Sequence, residues 1–99
     1  MKVVYNDCYT GFRLPKEFLE KHPEYNEFDS SKEVRTHSDL IEYVEKSYRK
    51  KGCCRVGDDL IFAELCIADL PKATTDFYIK EYDGAETVLF VVNGKIEEY

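Results

Sequence analysis

The sequence predicts an α+β domain, a small and mainly antiparallel sheet of four to five strands with two helices packed on one face. Three observations carry that expectation. One strand-like run opens the chain, two helix-like runs follow, and four strand-like runs close it. The apolar residues Leu40, Ile41, Val44 and Tyr48 recur with a helical period. Two hairpin dipeptides, Asp83-Gly84 and Asn93-Gly94, separate the late strands and join neighbours antiparallel.

The elements follow in order. Residues 2–6, rich in β-branched and aromatic side chains, read as a first strand, and residues 7–11 as a loop in which Gly11 supplies backbone freedom. Pro15 suits a helix start, and residues 16–21 carry Phe18 and Leu19 on one side until His22-Pro23 ends the run. Residues 25–36 are polar and read as a surface excursion. Ser38 is the expected N-cap of a helix over residues 39–51, with acidic residues early, basic residues late and Gly52 after the end. Residues 60–67 form a long apolar run closed by Leu70-Pro71, residues 76–82 a third strand, residues 87–92 a fourth and residues 95–99 a short fifth.

The 99 residues make one domain. Hydrophobic residues at 43% exclude a disordered chain, and charged residues at 34% exclude a membrane protein. The net charge of −6 argues against a nucleic-acid partner, since such binding depends on basic side chains displacing phosphate counterions. The first residues lack the pattern of a secretory signal, and no apolar run approaches a membrane span. A cytoplasmic location follows as the expectation, with Cys8, Cys53, Cys54 and Cys66 all reduced and Cys66 acting as a small core hydrophobe.

Three blocks resemble a family. Cys8-Tyr9-Thr10-Gly11-Phe12, preceded by a strand, is similar to the Cys-Tyr-Gly-Gly-Phe opening of small proteins from tailed phages and large DNA viruses. Arg35-Thr36-His37-Ser38 looks like the central Arg-Thr-Asp-Pro of that family, and Ile79 to Glu86 resembles its closing Ile-x-Glu-Tyr-Asp-Gly-x-Glu. Thr10 stands in place of the first glycine, His37-Ser38 replaces Asp-Pro, and the chain from Leu89 onward departs from the family ending. The resemblance implies a viral setting, with the host cytoplasm as compartment, and supplies no activity.

Candidate functional residues lie in the first and last blocks. Cys8, Tyr9, Gly11, Phe12 and Arg13 offer a glycine loop, two rings and a guanidinium, and Tyr82, Asp83, Gly84 and Glu86 add a ring and two carboxylates. If the two segments meet around a hollow, they supply a stacking face for a base, a cation for phosphate and acceptors for ribose hydroxyls. The sequence therefore points to a non-catalytic accessory protein that binds a nucleotide-like ligand and sequesters a host signalling nucleotide. Turn glycines beside core aromatics are the plainer account of the same residues. The alternative function is an acidic, Tyr-rich module that inhibits a host protein. A nucleotide-processing enzyme comes third, on Cys8, Asp83 and Glu86.

Cys8 with His37 lacks any spacing that fixes a nucleophilic pair. No metal and no cofactor are expected, because His22 and His37 are distant in the chain and the cysteines lack zinc-type spacing. Lys46, Arg49, Lys50, Lys51 and Arg55 cluster, with Lys46 to Lys51 placed where a helix C-terminus attracts cations. An open sheet edge at residues 95–99 or at the first strand admits a twofold homodimer.

Overall fold

The computed structural model describes residues 1–48, 53–58 and 60–99. Its elements are β1 (Lys2–Asn6), α1 (Lys16–Lys21), α2 (Lys32–Arg35), α3 (Ser38–Lys46), β2 (Cys53–Gly57), β3 (Phe62–Asp69), β4 (Thr74–Tyr82), β5 (Ala85–Val92) and β6 (Lys95–Glu98). The class is α+β, as expected, but the strands divide into two antiparallel three-stranded sheets, ordered β1-β3-β2 and β4-β5-β6. Pro71, which cannot donate to a ladder, follows β3 and accompanies the change of sheet.

Alternation along β1 and β3 assigns each side chain to one of two cores. Val4, Ala63 and Leu65 face Phe18, Val34, Leu40 and Val44 of the helices. Val3 and Ala68 face Phe77, Val88 and Phe90 of the second sheet. The helices thus cover one face of the first sheet, and the second sheet covers the other. Among the described residues, no helix is long and apolar enough to cross a membrane.

Several sequence expectations need correction. Residues 25–36 contain α2, whose Val34 and Arg35 are buried, capped by Ser31 accepting from the Val34 N–H at 3.3 Å. The cap of α3 is His37 rather than Ser38, because its Nδ1 accepts the Asp39 N–H at 3.1 Å. That helix ends at Lys46, and Tyr48 beyond it is exposed. The expected C-terminal Gly52 and the basic residues Arg49, Lys50 and Lys51 lie outside the described residues. Leu60 and Ile61 belong to the β2–β3 connection and are exposed, so the apolar run enters its strand at Phe62.

The cysteines differ most from expectation. Cys53 and Cys66 are directly paired across β2 and β3 with Cα atoms 4.2 Å apart, and they form a disulfide. That separation suits the closer kind of antiparallel pair, from which two side chains leave the sheet together. Cys66 is buried, but as half of a bridge. Cys54, one residue on, points to the opposite face among the helical core residues, where burial pushes its thiol up to about 11. Cys8 and Cys54 remain free.

Candidate functional site

The loop after β1 and the β4–β5 turn meet. Asp83 and Gly84 have φ of 51° and 91°, the paired positive values of a two-residue hairpin turn. A methyl added at Gly84 would stand 2.5 Å from the Tyr9 carbonyl oxygen and 2.7 Å from the Gly11 nitrogen. The two backbones therefore touch, leaving no slot for a base between them. Gly84→Ala is expected to cost about 1–3 kcal/mol, from the left-handed backbone and the clash together, read as a shift in urea midpoint.

Asn6, fully buried at the end of β1, ties the segments together. Its Nδ2 donates to the carbonyls of Cys8 at 2.7 Å and Gly84 at 2.8 Å, and its Oδ1 accepts the Glu64 N–H at 2.9 Å. Its own N–H donates to Glu86 Oε1 at 2.8 Å. Cys8 turns inward, its thiol donating to the Phe62 carbonyl at 3.4 Å, and the Thr10 hydroxyl donates to the same carbonyl.

Glu86 is 8% exposed and Arg35 2%. Arg35 donates through Nη1 to Glu86 Oε1 at 2.8 Å and through Nη2 to Oε2 at 2.7 Å, a bidentate pair. The guanidinium also donates to the carbonyls of Val4 and Ser30, and it lies 4.2 Å above the ring of Phe12, itself buried. Both carboxylate oxygens of Glu86 are thus engaged inside the protein. The acceptor expected for ribose is structural, and so is the Phe12 ring expected to stack.

Of the nine residues singled out in the sequence, the segments of Cys8, Tyr9, Gly11, Tyr82, Asp83 and Gly84 share one end of the molecule. Tyr9 is 72% exposed and Tyr82 74%. Leu60, 89% exposed, and Ile61 belong to the β2–β3 connection, which reaches the same loop through Phe62. Arg13 departs from the group: its Nε lies 3.5 Å from Glu27 Oε2, and its guanidinium is 5.3 Å from the Phe28 ring centre. Arg35 and Asn6, which organise the site, were not among the candidates; the only sequence signal for Arg35 was its place in the Arg-Thr segment.

Arg13 lines a recess of about 290 Å³ with Lys16, Arg55, Glu17, Glu27 and Tyr43. Burial, reinforced by a hydrogen bond to Glu17, pushes the Tyr43 phenol up to about 12, so it stays protonated there. Arg55 lies 3.9 Å from the centre of the Phe62 ring. Among the described residues Cys8 and His37 share no partner: the thiol faces Phe62 and Thr10, whereas the imidazole packs 5.2 Å from Phe18 and 4.4 Å from His22.

One donor set could hold a metal. His22 caps the C-terminus of α1, His37 caps the N-terminus of α3, and Asp39 lies in the first turn of α3. His22 Nε2 and Asp39 Oδ2 are 2.7 Å apart, and this hydrogen bond holds the carboxyl below its usual range. The sequence separation that argued against a metal site is cancelled by the α1–α3 packing.

Comparison with protein-family models, with curated proteins and with solved structures finds no significant match.

Proposed function

We propose that this chain is a non-catalytic protein-interaction module that docks a partner protein through its loop end. The reading rests on one observation: Tyr9, on the loop after β1, and Tyr82, at the end of β4, stand exposed where the β4–β5 turn presses against that loop, instead of lining a hollow. Two exposed rings, with exposed Leu60 and Ile61 on the β2–β3 connection at the same end, supply the aromatic and aliphatic side chains that anchor interfaces. Held on a rigid frame, such rings lose little freedom on binding. The net charge of −6 selects a partner with a basic surface. The resemblance to small viral proteins favours a host protein as that partner.

The test is capture from host lysate by wild type and by the double variant Tyr9→Ala/Tyr82→Ala. A stoichiometric partner lost by the double variant, at unchanged melting temperature and with capture weakened by salt, is the expected result. Equal capture by both proteins, or recovery of the wild type alone, rejects the module.

A second reading is favoured by the recess where Arg13, Lys16 and Arg55 converge. Three cations against the Glu17 and Glu27 carboxylates leave an excess of one positive charge beside the Tyr43 hydroxyl, which suits a small phosphorylated ligand of nucleotide kind, and the volume is close to the lower bound for such sites. Thermal shift with a nucleotide pool, lost in Arg55→Ala at unchanged apo stability, supports this second reading. Absence of any shift removes it.

A further inference from the structure

We propose that His22, His37 and Asp39 form a binding site for one divalent first-row transition ion of zinc type. One ligand atom from each residue lies within 4.8 Å of the other two, and His22 Nε2 stands 2.7 Å from Asp39 Oδ2. Around a tetrahedral ion with bonds near 2.0–2.2 Å, ligand atoms stand about 3.4 Å apart. The 2.7 Å pair and the 4.8 Å limit on the set keep all three donors within side-chain rotation of that spacing. Two imidazoles and one carboxylate favour zinc, cobalt or nickel over magnesium and calcium, which require oxygen donors.

The surroundings fit a site as well as a set of donors. Phe18 packs 4.8 Å from the His22 ring and 5.2 Å from the His37 ring, restricting both. Glu24 Oε2 lies 3.8 Å from His22 Nδ1, too far for a hydrogen bond as it stands, and a small rotation of this exposed side chain would bring it within reach of that nitrogen while Nε2 faces the ion. His37 Nδ1 now accepts the Asp39 N–H, and ligation gives up that cap bond whichever ring nitrogen is used. Three protein ligands leave the fourth position open to water or to a donor from a partner. The site shares no residue with the loop end, and it does not depend on the interaction proposed there.

The test is calorimetric titration of the folded, metal-free protein, with the partly exposed Cys8 alkylated, with zinc, and with cobalt followed by its visible absorption. One ion per chain is expected, with ligand-field bands in the cobalt complex. His22→Ala and Asp39→Asn should each weaken binding at least about tenfold. His37→Asn should do the same while retaining a good N-cap residue, so apo melting temperature separates lost ligation from lost folding. No binding by wild type, or binding undiminished in a folded His22→Ala/His37→Asn double variant, overturns the site.

Discussion

Glu86→Gln is expected to destabilise the protein by about 3–5 kcal/mol, the effect of stranding a buried guanidinium without its counter-charge. Against a total of about 5–15 kcal/mol for an ordinary domain, that loss is severe. The geometry explains its size: the Glu86 carboxylate accepts two bonds from Arg35 and one from the Asn6 N–H, all within 2.8 Å and all buried. Replacing both partners with apolar residues, as in Arg35→Met/Glu86→Leu, should recover part of the loss. Recovery is incomplete because the Val4 and Ser30 carbonyls and the Asn6 N–H lose partners too. Urea denaturation of the single and double variants measures each quantity. A Glu86→Gln protein as stable as wild type would return this carboxylate to the functional residues.

Reduction of the Cys53–Cys66 bridge is expected to remove about 3 kcal/mol, the chain-entropy value for a loop of this length. The separation is 13 residues, and the bridge joins the edge strand β2 to the central strand β3. Urea melts with and without reductant give the difference. Alkylation of the unfolded, unreduced chain should label only Cys8 and Cys54, whereas prior reduction exposes all four cysteines. Four labels without reductant would mean that the pair is a dithiol, the state a reducing cytoplasm maintains.

Local chemistry was the legible part of this molecule. Asp83-Gly84 and Asn93-Gly94 both adopt the paired positive φ that their composition predicts, and the periodic Leu40 and Val44 are buried. The α2 helix was hidden because its four residues lack a period to detect; it is held by the Ser31 cap and by the contacts of Arg35. β2 was hidden because Cys53 to Gly57 is short and interrupted by Arg55, and its place at the sheet edge depends on β3. Division into two sheets is a matter of partners, and no local signal tells Lys2 that it lies opposite Asp69.

The same distinction governs the site. Meeting of the first and last blocks could be anticipated from their shared glycine-aromatic character. What fills the space between them could not, since Arg35 and Glu86 are 51 residues apart and each resembles an ordinary surface charge in sequence. His22 and Asp39, 17 residues apart, escaped notice for the same reason.

The two glycine hairpins, alike in backbone, have opposite neighbourhoods. Space around Gly94 is open, whereas Gly84 is pressed against the Tyr9 carbonyl. Evolution or an engineer can therefore splice a reporter peptide into the Asn93-Gly94 bend and leave the remainder intact. At Asp83-Gly84 the same graft would pry apart the seam on which the N-terminal strand is fastened.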